Sequence, residues 1–152
     1  MNLFDQVSKD IFAAMKAKDR LRLEALRNIK KNFLEAKTAP GANDELSDDA
    51  AFKILAKMAK QGRDTAALYR EKGRDDLAEE EAGQAAIIEE YLPRQLSAEE
   101  LEQEVKAVIT STGATSMKDM GKVMGMASKL LAGRAEGKAI ADMVKRLLSQ
   151  AG

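Results

Sequence analysis

The stretch "FKILAKMAKQGRDTAALY" (residues 52–69) carries the clearest repeat in the chain. Phe52, Leu55, Ala59, Gly62, Ala66 and Tyr69 follow one another at intervals that alternate between three and four residues. Such intervals return a side chain to one face of an α-helix at every turn, because each residue advances by about 100°. A half-buried strand would need period two, and no run in the chain alternates that way. The repeat is heptad-like, a seam suited to an antiparallel helical hairpin, and the small residues at its centre permit close approach. The spacing predicts a helix from Ser47 or Asp48 to about Lys72, with Gly73 as a left-handed stop.

The same period extends outward on both sides. Leu3, Val7, Ile11 and Met15 predict a helix over 3–17. Leu23, Leu26, Ile29 and Phe33 predict another over 20–36, with Arg20, Arg27 and Lys31 as a basic stripe on it. "TAPGANDEL" (38–46) is a polar loop. A fourth helix starts at Asp75 and Asp76, whose charges suit the positive end of its dipole, and stops before Pro93. Ser97 with Glu100 forms a capping box that opens a fifth helix with Leu101, Val105, Val108 and Ile109 as its apolar face, ended by Gly113. Ser116 with Asp119 predicts a second box and a sixth helix, ended by Gly133. A seventh, about 136–149, carries Ala139, Ile140, Met143, Val144, Leu147 and Leu148. The fold class expected is all-α, with a helical N-terminal lobe of about four helices (residues 1–92) and a small three-helix C-terminal lobe (residues 93–152).

Composition narrows the chemistry. The 152 residues are 45% hydrophobic and only 4% aromatic, so the core must be aliphatic and rich in alanine and methionine. Lys and Arg total 25, as do Asp and Glu, and the neutral balance hides a pattern. Residues 1–74 hold 16 basic and 11 acidic side chains, residues 75–104 one and 11, and residues 105–152 eight and three. An acidic belt thus separates two basic ends, an asymmetry that suits surfaces with different partners or helix faces balanced within the fold. There is no Cys and no His. That removes disulfides, thiolate metal sites, a cysteine nucleophile and the commonest general base. No Gly-rich phosphate loop of the G-x-x-x-x-G-K-[ST] kind is present, and the serines show no Ser–Lys–Ser spacing. The run Glu79-Glu80-Glu81 points its carboxylates in different directions on a helix and reads as a solvated face. No catalytic residue, metal site or cofactor is expected. "MNLFDQVSKD" (1–10) is not a secretory signal and no stretch is apolar enough to span a membrane, so a cytoplasmic chain is expected.

One stretch costs the chain stability. "SMKDMGKVMG" (116–125) keeps an apolar rhythm, yet Gly121 and Gly125 each weaken a helix by about 1 kcal/mol relative to alanine. With Met117 set at zero, Met120, Val123, Met124, Ala127, Leu130 and Leu131 fall between roughly 220° and 340°, a core stripe. Gly121 and Gly125 fall near roughly 40° and 80°, and Lys118, Lys129 and Lys122 between about 100° and 140°. Two readings follow. The G-x-x-x-G spacing is a helix-contact signature, so the glycines let a neighbouring helix pack tightly. Alternatively a bare backbone beside lysines admits an anionic visitor such as a sugar-phosphate edge. Arg134 and Lys138 flank the turn "AGRAEGKA" (132–139), where the amides opening the seventh helix favour phosphate.

Three segments, "EEYLPRQLSAEEL" (89–101), "DMGKVMG" (119–125) and "GRAEGKAIADMVKRLL" (133–148), in this order and spacing, resemble the YqeY (GatB/YqeY) family, and "KDRLRLEALRNIKKNFLEA" (18–36) extends the likeness over the whole chain. The C-terminal half is similar to the tail domain of the B subunit of glutamine-dependent aspartyl/glutamyl-tRNA amidotransferases, a helical appendage that recognises tRNA away from the catalytic cradle. The resemblance implies a helical lobe followed by a small tail-like lobe, and it carries an inherited label, carbon–nitrogen ligase with glutamine as amido donor. The residues give that label no nucleophile, base or ATP site, so the tail's tRNA-facing role is what carries over.

The reading that results is a non-catalytic binding protein that docks on tRNA or structured RNA through Lys118, Gly121, Lys122, Gly125, Lys129, Arg134 and Lys138, with no DNA specificity. The alternatives are an adaptor for a tRNA-charging or amidotransferase enzyme, held through the acidic fourth helix and the seam of the third, and an accessory of amide transfer itself. The low aromatic content argues for recognition of folded RNA by shape rather than of single strands by stacking.

Overall fold

The computed structural model describes residues 2–151. The described residues form seven α-helices and no strand, so the protein is all-α. They are α1 (Leu3–Ala17), α2 (Arg20–Lys37), α3 (Asp48–Glu71), α4 (Asp75–Glu89), α5 (Ala98–Thr112), α6 (Met120–Leu130) and α7 (Gly137–Ala151), with one short 3₁₀ turn, Met117–Asp119, ahead of α6. The chain divides into two compact units, Met1–Leu92 and Pro93–Gly152. No described helix is long and apolar enough to cross a membrane.

In the first unit local chemistry sets the helix ends. The side chain of Asn2 accepts from the Asp5 amide at 2.9 Å, that of Asp19 from Arg22 at 3.1 Å and that of Ser47 from Ala50 at 3.2 Å. Each satisfies an amide that has no partner inside its helix. Gly73 takes the left-handed conformation (φ +74°) after α3, as its position predicts. Val7, Leu26, Ile29, Phe33 and Leu55 are wholly buried, with Ile88 of α4 closing over them. Burying a side chain of this size contributes roughly 1.5–3 kcal/mol relative to exposure. The seam of α3 runs along α4 through alanines, with Ala59, Ala66, Ala78 and Ala85 all buried. A methyl group on Gly62 would lie 3.2 Å from the Cβ of Ala85, so the close approach expected of this seam is realised.

Polar contacts tie the unit's edges. Arg22 forks onto Glu90 at 3.0 and 3.1 Å, and Arg63 pairs with Glu89. Tyr91 donates its hydroxyl to Asp10, and burial, reinforced by that carboxylate, holds the phenol well above its ordinary pKa.

The second unit packs α5, α6 and α7 against one another around Val105, Val123, Leu131, Val144 and Leu148, each wholly buried, with Leu101, Val108, Ala127, Ile140 and Leu147 completing the core. The capping box at Ser97 and Glu100 is present on both its bonds, at 3.1 Å each. Gly113 is left-handed (φ +71°) at the end of α5.

Four details depart from the periodic reading. Met15 is exposed and Ala14 is buried in its place. A strict four-residue repeat drifts by about 40° per step against a 3.6-residue helix, so by Met15 the stripe has rotated out of the core. Met117 is 40% exposed, because Met117–Asp119 is a 3₁₀ turn whose tighter winding breaks phase with α6. Leu130, at the edge of the expected stripe and the end of its helix, is 57% exposed. The second capping box does not form: Ser116 accepts from the Lys118 amide, while the Asp119 carboxylate accepts from Thr115.

Candidate nucleic-acid interface

The sixth helix decides between the two readings of the glycine pair. Val123 and Ala127 are wholly buried and Met120 and Met124 half-buried, so this side of α6 faces α5 and α7. Gly121, Lys122, Gly125, Met126, Lys129 and Leu130 are exposed. An added Cβ at Gly121 or at Gly125 would meet nothing within 4 Å. The packing reading therefore fails: among the described residues no neighbouring helix uses either glycine. Counted from Met120, Gly121, Gly125, Lys129, Lys122 and Met126 fall at roughly 100°, 140°, 180°, 200° and 240°, so a bare ridge, a lysine ridge and an apolar ridge lie side by side.

The lysines on that face are not consumed by the fold. Among the described residues Lys118 and Lys129 have no carboxylate within ion-pair distance, and the Lys122 ammonium reaches only the Thr112 carbonyl, at 3.4 Å. Lys118 sits on the 3₁₀ turn, two residues before the helix. The exposed pair Met126 and Leu130, at 45% and 57%, was not legible as surface, since Leu130 fits the apolar period.

Arg134 and Lys138 lie elsewhere in the unit. Lys138 is exposed in the first turn of α7. Arg134 is half-buried and lines a groove between the start of α5 and α7, together with Leu96, Leu101, Met143 and Arg146. None of the α6 residues lines that groove, and Glu136 and Asp142 share it, which weakens its pull on an anion.

The groove is built by two of the motif segments meeting. The Leu96 amide donates to the Arg134 carbonyl at 2.9 Å, and the Gln95 side-chain amide donates to the carbonyl of Gly133. Gly133 is itself left-handed (φ +76°), and "PRQLS" and "GRAEG" hold one another through one backbone and one side-chain hydrogen bond. Arg94 forks onto Glu100 at 3.0 and 2.6 Å. That guanidinium, with the Ser97 amide, holds the Glu100 carboxyl down at about 2.

Among the described residues no three carboxylates converge as a metal cage would require. The run Glu79-Glu80-Glu81 instead leaves two carboxylates outward on α4 and one half-buried.

Comparison with known proteins agrees with the motif placement. The family model described as Yqey-like protein matches residues 4–148. Similar relatives are each named "Altered inheritance of mitochondria protein 41, mitochondrial". The one from Meyerozyma guilliermondii is 32% identical over 82% of this chain and 66% of its own length. That from Kluyveromyces lactis is 30% identical over 68% and 57%, and that from Clavispora lusitaniae 32% over 59% and 51%. The chain thus spans between about half and two thirds of the length of these relatives. Their names overturn the expectation of a cytoplasmic location. The features behind it, a start unlike a secretory signal and the lack of a membrane span, bear on export and insertion and do not choose among compartments. With the family model covering nearly all of it and the motif segments clasped as described, the chain belongs to the YqeY-like protein family.

Proposed function

We propose that this protein is a non-catalytic helical binding module that docks on tRNA or structured RNA through the outer face of α6. One observation carries the reading: two glycines inside a helix where an added Cβ would meet nothing within 4 Å among the described residues. Each lowers helix stability, so their use lies in what approaches from outside. Lys122 and Lys129 beside them, with Lys118 one turn earlier, supply charge for phosphates, and the bare backbone lets a sugar-phosphate edge come close. The likeness of the C-terminal half to the tRNA-recognising tail of the amidotransferase B subunit supports the same choice of partner. Arg134 and Lys138 would add contacts from the α7 side.

The test separates fold from function. A Cβ at position 125 meets nothing within 4 Å, so Gly125→Leu is expected to keep the helix, which a thermal melt checks. It also walls off the ridge, and the variant is expected to bind folded RNA at least tenfold more weakly in a gel-shift titration at low salt. Wild-type affinity in Gly125→Leu would remove the reading.

A second reading, an adaptor for a tRNA-charging or amidotransferase enzyme, is favoured by α4. Asp75, Glu79 and Glu80 are exposed on it and have no basic partner among the described residues. An association with such an enzyme that survives nuclease and is lost in the Glu79→Gln/Glu80→Gln variant would support it.

A further inference from the structure

The first unit carries a cationic surface that the α6 reading leaves unused. Along α2, Arg27 and Lys31 stand on the outermost ridge, exposed, and neither has a carboxylate partner among the described residues. The other arginines of α2 are engaged within the unit, Arg20 with Glu24 at 3.5 Å and Arg22 with Glu90 and Asp19. Two further lysines flank the ridge and are held in place by an aromatic ring. The ammonium of Lys37 lies 4.0 Å and that of Lys30 5.8 Å from the centre of the Phe4 ring. A cation held over a ring face has already given up part of the side-chain freedom that binding would otherwise cost. Arg27, Lys31 and the pinned Lys30 line a shallow groove with Leu34, itself 42% exposed. Glu35 lines its edge and pairs with no cation among the described residues.

We infer that this α2 groove is a second RNA-backbone contact, in which Arg27, Lys30 and Lys31 face phosphates and Leu34 packs against a ribose. The inference rests on the α6 reading for the kind of partner and goes beyond it in place, since α2 belongs to the other unit. Charge complementarity commits the surface to a polyanion. Three cations around one apolar side chain, with Lys37 nearby over Phe4, match a chain of phosphates separated by sugars, and the groove presents no exposed aromatic side chain for base stacking. The unit's own excess carboxylates lie on α4, where they would keep the same polyanion away.

The experiment is an anisotropy titration of fluorescently labelled bulk tRNA with the full chain at several salt concentrations. It compares the wild type, Arg27→Gln/Lys31→Gln and Lys122→Gln/Lys129→Gln, with thermal melts to confirm folding. Each lost phosphate contact lowers the slope of log affinity against log salt by about 1, so the α2 pair is expected to lower it by about 2. Arg27→Lys/Lys31→Arg keeps the charge and is expected to keep the wild-type slope. A wild-type slope in Arg27→Gln/Lys31→Gln alongside a reduced one in the α6 variant overturns the α2 contact and leaves the α6 reading standing. It would also be the outcome if the groove takes an acidic protein segment instead. A reduced slope in the α2 variant alone upholds the α2 contact and overturns the α6 reading. Absence of binding by the wild type at low salt overturns both.

Discussion

Gly62 and Gly125 both sit inside helices, and the fold treats them oppositely. A Cβ at Gly62 would meet the Cβ of Ala85 at 3.2 Å, and that methyl is rigidly attached to the backbone of α4. A Cβ at Gly125 would meet nothing. Gly62→Ala is therefore expected to destabilise by about 1 kcal/mol, the overpacking cost outweighing the gain in helix propensity. Gly125→Ala is expected to stabilise by about 0.5–1 kcal/mol for the same propensity reason without the clash. Urea unfolding of the two variants checks the opposed signs. The sequence places each glycine on a face of its helix, but spacing does not say what lies opposite a face. That is why the G-x-x-x-G pair allows both a packing and an open-surface reading in sequence, and the structure leaves it open while Gly62 in the heptad-like seam packs.

At the scale of the element, the start of α5 shows how far a local signal reaches. Ser-x-x-Glu at 97–100 is legible because both bonds of the box close within four residues. The fork from Arg94 onto Glu100 is not, since it needs the chain after Pro93 to fold back on the helix it introduces. The same spacing at Ser116 and Asp119 gives a 3₁₀ turn instead, with Asp119 reaching back to Thr115. Ser97→Ala is expected to cost about 1 kcal/mol in chemical denaturation. Glu100 adds a pH signature. Its folded pKa, about 2, lies below the ordinary 4.5, so its contribution is complete above pH 4.5 and is lost as pH falls toward 2. The stability difference between wild type and Glu100→Gln is expected to shrink across that window. A difference that stays constant from pH 6 to pH 2.5 would contradict the Arg94 clasp.

At the scale of the whole molecule, the described residues form two hydrophobic clusters, one under α1 to α4 and one among α5, α6 and α7. Leu131 is wholly buried in the second, and Leu131→Ala is expected to cost about 2–5 kcal/mol there. Hydrogen exchange should quicken in α5 to α7 while amides of α3 and α4 keep their protection, and uniform quickening would contradict two cores. The helices and the core of each unit were readable from apolar period and caps. Which charged groups remain unpaired was not, because pairing depends on contacts such as Arg22 with Glu90, distant in sequence. The outer face of α6 is proposed as a phosphate-facing surface. The most direct test is tRNA binding by the full chain at about 50 mM and 200 mM salt, wild type against Lys118→Ala/Lys122→Ala/Lys129→Ala. Salt-sensitive binding by the wild type and a slope lower by about 3 in the variant are expected. Equal affinities at both salts, or no wild-type binding at the lower one, would contradict it.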